Sequence, residues 1–144
     1  MRNSYKLILV AVAAVFISTV QTAPSLAQKA AKRSITKIAG DLYRVQNNFH
    51  FSALLVTPKG VIVTDPVNAE AAAWLKAEIA TRFKQPVKYV IYSHDHRDHI
   101  AGGEVFSDTA IFVGHENTKA AILGEKRPTP APDVTFSDTC LLYT

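Results

Sequence analysis

One cysteine in 144 residues, Cys140, leaves no intramolecular disulfide to make, so an exported form of this chain must be held by its core or by a metal. The apolar run Leu7 to Val20 holds 14 residues, short of the about 20 that a membrane-spanning helix needs. Basic stripes of the kind that grip nucleic acid are missing as well. Lys29, Lys32 and Arg33 cluster once near the start, no such stripe recurs, and no nucleic-acid motif accompanies them. That cluster reads as a solvated, frayed segment. With 48% hydrophobic and 19% charged residues and no low-complexity tract beyond the start, the composition is that of a globular chain, not of a disordered or collagenous one.

What is present begins with an export signal. Arg2 and Lys6 precede the apolar run, and small and polar residues follow it, ending in Ser25-Leu26-Ala27. This is the pattern of a secretory leader over residues 1–27, cut after Ala27, which implies a periplasmic or secreted protein with no stable membrane anchor after cleavage. The leader carries two basic residues and no acidic one, so half of the formal net charge of +4 leaves with it. The remainder reads as an N-terminal extension, 28–40, and one domain, 41–144.

Within that domain the pattern alternates between strand and helix. From Ser34 onward it is strand-like, with Leu42 to Val45 bounded by Gly40-Asp41 and by Gln46-Asn47-Asn48. Phe51 to Thr57 and Val61 to Thr64 flank Pro58-Lys59-Gly60, which predicts a hairpin. Asn68 can cap a helix in which Ala72, Leu75, Ile79 and Phe83 recur at helical spacing, and Gln85-Pro86 ends it. Trp74 and Phe83 are then packing residues of that helix. Val87 to Tyr92 reads as the next strand, Ala110 to Val113 as another, Asn117 to Leu123 as a short helix, and Pro128 to Pro132 as a loop.

The chemistry concentrates directly after Tyr92, in Ser93-His94-Asp95-His96-Arg97-Asp98-His99, where three of the five histidines fall within six residues. Neutral imidazole nitrogens and a carboxylate oxygen suit zinc, and at a similar site iron or manganese. In an extended loop alternate residues project to one side, so His94 and His96 can approach one metal together. Asp98 and His99, across the next turn, can reach a second metal about 3.5–4 Å from the first. A water between two such ions loses a proton near neutral pH and becomes a nucleophile for a carbonyl, which points to metal-assisted hydrolysis of a small-molecule substrate.

This string resembles that of the metallo-β-lactamase superfamily, and the likeness extends over Asp41 to Phe136. It takes in the hairpin leading to Thr64-Asp65-Pro66, the helix, the apolar strand, and Ile100-Ala101-Gly102-Gly103 behind the histidines. The resemblance implies an α/β (α+β) chain forming the N-terminal half of an αββα sandwich, with two zinc ions per complete domain. It places His94 and His96 on the first metal and Asp98 and His99 on the second, gives Asp98 and His99 a catalytic role, and makes Asp65 a group that orients the metal loop from behind. An Asp-Pro pair is also an ordinary turn signal at a strand end. His99 favours a glyoxalase-II-like, lactonase-like or third-subclass lactamase-like site. The same string around a single iron occurs in persulfide dioxygenases, so an iron-dependent oxidoreductase is the alternative.

The family also needs a further histidine, a bridging aspartate and a final histidine downstream. After His99 only His115 offers an imidazole, and the run Cys140 to Tyr143 resembles a strand cut partway. The chain is therefore expected to be truncated and, as it stands, inactive, with one apolar sheet face exposed. His115, at a helix entrance, is expected to cap or stay solvated, and His50, beside Phe49 in the first hairpin, to lie on the surface, the alternative implied by the resemblance being a place at the mouth of a substrate cleft. Asp95 and Arg97 should point away from the metals into supporting bonds, and Cys140 should be inert.

Overall fold

Pro58-Lys59 turns the chain between two β-branched runs. The structure, a computed structural model describing residues 30–142, pairs these runs as β3 (His50–Thr57) and β4 (Gly60–Thr64). The expected leader, 1–27, and Tyr143 lie outside the described residues. With β1 (Arg33–Ala39) and β2 (Leu42–Asn47) these strands make a four-stranded antiparallel meander. Helix α1 (Ala69–Phe83) then returns the chain so that β5 (Val87–Ile91) lies parallel to β4. A short α2 (Arg97–Ile100) and a 3₁₀ turn (Gly103–Phe106) lead to β6 (Ile111–His115), and α3 (Glu116–Gly124) leads to β7 (Val134–Phe136), both strands parallel again. The seven strands stand in chain order across one sheet. Among the described residues no helix is long and apolar enough to cross a membrane.

Two expectations shift here. Residues 33–39 are strand β1 of the sheet, as the strand-like pattern from Ser34 implied, but Arg33 is not frayed. Its Nε donates to Asn47 Oδ1 at 2.9 Å and its guanidinium pairs with Glu70 Oε1 at 2.8 Å. Ladder bonding to β2 orders a basic segment that composition alone left to solvent. At the other end, Cys140 to Leu142 form no strand.

Helix α1 follows the predicted spacing. Asn68 Oδ1 accepts from Ala71 N at 2.8 Å, which satisfies one of the free amides of the first turn, and Lys84 ends the helix in the left-handed conformation at φ 55°. Its buried stripe, Ala72, Leu75 and Ile79, packs on Leu54, Val61, Val63, Val87 and Val90, and the same cluster takes in Phe106, Phe112 and Ile122. Each large side chain so buried contributes roughly 1.5–3 kcal/mol. Trp74 and Phe83 pack at the margin of this cluster, as the spacing implied.

Because side chains alternate across a strand, the residues between these core positions face the other way. Strand register aligns them into one apolar row, Leu42, Leu55, Ile62, Tyr89 and Ile111, running over five strands. Leu55 is 38% and Ile111 43% exposed, so the face away from α1 is open, as a single layer of a sandwich requires.

Tyr92, just past β5, closes the core beneath the metal loop. Its hydroxyl donates to Pro130 O at 3.1 Å and lies 3.3 Å from Thr129 Oγ1, while the Thr129 hydroxyl donates to Ile100 O at 2.8 Å. The proline-rich loop is thereby bolted to the end of α2. Burial pushes the Tyr92 phenol well above its ordinary range. Its folded form stays neutral while the unfolded chain loses the proton above about pH 10, so stability present below that pH falls as pH rises further. Tyr92→Phe should cost about 1 kcal/mol at neutral pH and flatten this alkaline decline. Denaturant titrations at neutral pH and above about pH 10 read both effects, and an equally steep decline in the variant would refute the account.

Candidate metal centre

Four parallel strands, β4 to β7, end at the same edge, and chemistry gathers there because open α/β sheets leave free backbone and space at their carboxyl ends. Asp65 follows β4, Ser93 to His99 follow β5, and the amino end of antiparallel β3 brings His50 to the same edge. Asp65 takes φ 40°, a conformation an aspartate tolerates, and its amide donates to Ile91 O at 3.0 Å. Its carboxylate is buried and accepts from Ser93 N at 2.8 Å and from the Ser93 hydroxyl at 2.6 Å. It also lies 3.1 Å from His99 Nδ1.

These bonds determine where the imidazole protons sit. A carboxylate only accepts, so Nδ1 of His99 carries a proton, and in the neutral ring the Nε2 lone pair is left for a ligand. The Ser93 proton is committed to Asp65, so Ser93 Oγ can only accept from His94 Nδ1, 2.8 Å away. His94 therefore also presents Nε2. One buried carboxylate, directly and through one hydroxyl, sets two rings in the same ligating tautomer. Ser93 was not singled out in the sequence. A hydroxyl beside a histidine string is the signal that could have found it.

Three of the histidine rings stand close together. His94 and His96 have centroids 4.6 Å apart, and His94 and His99 4.1 Å apart. Between the first two, Asp95 turns away: Arg127 donates to its backbone carbonyl, and the guanidinium lies 3.2 Å from its carboxylate. Arg97 begins α2. Asp98 Oδ2 lies 3.6 Å from His99 Nε2 and 3.2 Å from His50 Nε2. The His50 bond, and next the residue's own amide, hold the Asp98 carboxyl below the usual carboxylate range. His50 is thus a residue of this site, where the hairpin position alone suggested a surface histidine. Contact across 48 residues of chain left no local mark.

His115 does not join. Its Nδ1 accepts from Asn117 N at 3.1 Å, capping α3, and its Nε2 donates to Ser137 O at 3.0 Å, so both nitrogens are engaged. Among the described residues no three His, Cys, Asp or Glu side chains converge in metal-holding geometry. The donor types still fit zinc, iron or manganese, because two imidazoles offer Nε2 and a carboxylate stands beside one of them.

A mixed sheet with its helices on one face and a histidine-aspartate loop at its carboxyl edge defines the class: a metallohydrolase-type αβ layer. The chain belongs to the metallo-beta-lactamase superfamily, whose family model matches residues 46–134. Among solved structures it is similar to a metallo-beta-lactamase from Pontibacter korlensis, at 28% identity and TM-score 0.66, covering 78% of this chain and 56% of that one. It is also similar to the native FEZ-1 metallo-beta-lactamase from Legionella gormanii, at 25% identity and TM-score 0.65, covering 76% and 48%. The metallo-beta-lactamase from Hirschia baltica, 12% identical with TM-score 0.63 over 76% and 54%, shares the fold. The chain spans about half the length of these structures. A search of curated protein sequences gives no significant match.

Proposed function

We propose that the whole protein is an exported zinc-dependent hydrolase acting on an ester, thioester, lactone or β-lactam, and that this chain supplies its first metal-binding loop. The observation that carries the reading is the Asp65 hub, which engages Nδ1 of His99 directly and of His94 through Ser93, in two rings whose centroids lie 4.1 Å apart. His94 and His96 would hold one metal, and Asp98 and His99 a second. Metal bound there would supply Lewis acidity and a water acidified to near neutrality. Asp65 and Ser93 hold the rings in register, Arg127 holds the turn between the first two histidines, and Asp98 keeps an ionised oxygen at the mouth of the site. The leader over 1–27 would direct the protein to the periplasm or the medium.

The absence of three converging donors among the described residues favours a second reading for the chain alone: it holds metal weakly and does not turn over. Metal analysis with a chromogenic β-lactam and a thioester separates the two. Zinc with turnover supports the enzyme, and zinc without turnover supports the weak-binding chain. Redox-active iron would move the assignment to an oxidoreductase. His96→Ala removes one donor without touching the apolar pattern and should lower bound metal by about half, since each of two sites takes one of the two donor pairs. Unchanged metal content would refute the ligand assignment.

A further inference from the structure

Asp98, like His96, is a donor of the string that the bonds of Asp65 and Ser93 do not reach. It sits on the four-residue helix α2 with its side chain 58% exposed, and a carboxylate so placed samples several rotamers unless something holds it. The group facing it comes from the far side of the hairpin. His50 opens β3, and its Nε2 stands 3.2 Å from Asp98 Oδ2. The His50 ring lies edge-on to that of His99, at 79° with centroids 6.2 Å apart.

We infer that His50 is a positioning residue for Asp98: its Nε2–H holds Oδ2, the same oxygen that stands 3.6 Å from His99 Nε2, and so fixes the carboxylate beside the metal that His99 would share. The inference rests on the ligand assignment proposed above and adds to it a residue from outside the string. Its logic parallels that of Asp65 and His99, since a ligating carboxylate that is itself hydrogen-bonded loses less freedom when metal arrives. The meander would then set the geometry of a loop that follows β5. The competing account is an exposed ion pair with no functional consequence, of the kind that contributes little.

Zinc titration against a chromophoric chelator, on the full chain, decides between them. His50→Ala should weaken zinc uptake by about 10–100-fold at unchanged stoichiometry and with an unchanged thermal midpoint. His50→Gln, whose amide can donate over a similar reach, should recover most of that loss. In an Asp98→Ala background His50→Ala should have no further effect, because there is no carboxylate left to hold. Affinity within twofold of the parent in His50→Ala would overturn the inference while leaving the ligand assignment intact. Loss of a whole zinc equivalent that glutamine does not restore would also overturn it, and would make His50 a ligand. A parent chain that takes up no zinc would overturn the ligand assignment and this inference together.

Discussion

Gly102→Ala is expected to cost about 3 kcal/mol or more, enough to unfold a chain of ordinary stability at moderate denaturant. Gly102 sits at φ 87°, where an added Cβ already costs about 1–2 kcal/mol. That Cβ would lie 2.5 Å from Asn68 O and 2.7 Å from Ala69 N, backbone atoms of the α1 cap that cannot swing aside. The approach is that close because two segments interlock at this point: Val67 N donates to His99 O at 3.0 Å, which pins the turn before α1 to the helix that carries Asp98 and His99. Gly124→Ala is the control. No atom lies within 4 Å of a Cβ there, and alanine favours a helix end over glycine, so the change should be neutral or slightly stabilising. Equal denaturant midpoints for Gly102→Ala and the parent would contradict the packing described.

Asp65→Ala should be the most damaging change at the site itself. It orphans the Ser93 amide, the Ser93 hydroxyl and His99 Nδ1 in a part-buried setting, at a cost of about 1–3 kcal/mol. It also frees both rings to change tautomer, and zinc affinity should fall by at least 10–100-fold. Asp65→Asn keeps the shape but places an amide donor against other donors, so it should recover only part of the loss. Unfolding curves and competitive zinc titration measure the two effects separately. An aspartate serving only as a turn residue would leave zinc affinity within about twofold of the parent, and that result would sink the hub.

Much of this architecture was legible in the chain because its signals are local. Helix α1 announces itself through a cap and four apolar positions, and the β3–β4 hairpin through Pro58-Lys59-Gly60 between two apolar runs. The string from His94 to His99 carries its own chemistry. What stayed hidden depends on distance or brevity. Helix α2 has four residues and β7 three, too few for any period to show. Strand β1 mixes Arg33, Ser34, Thr36 and Lys37 with Ile35 and Ile38, as a half-exposed edge strand does, so the strand-like pattern from Ser34 showed without its start at Arg33 or its partner β2. Ser93, His50 and Arg127 matter through partners folded against them, and no spacing rule reaches from Arg127 back to Asp95.

The Asp65 hub has a bearing on the order of folding. The carboxylate and its partners Ser93 and His99 are separated by 28 and 34 residues, and the intervening chain is β4's exit, α1 and β5. A loop of that size is entropically inexpensive to close, since each doubling of length adds only about 0.6 kcal/mol. It is shortened further when α1 forms, because a helix advances only about 1.5 Å per residue. Docking of one helix between two parallel strands is therefore the same event that brings the carboxylate beneath the histidines. The ligating tautomers would be set at the moment the crossover closes, before any metal arrives.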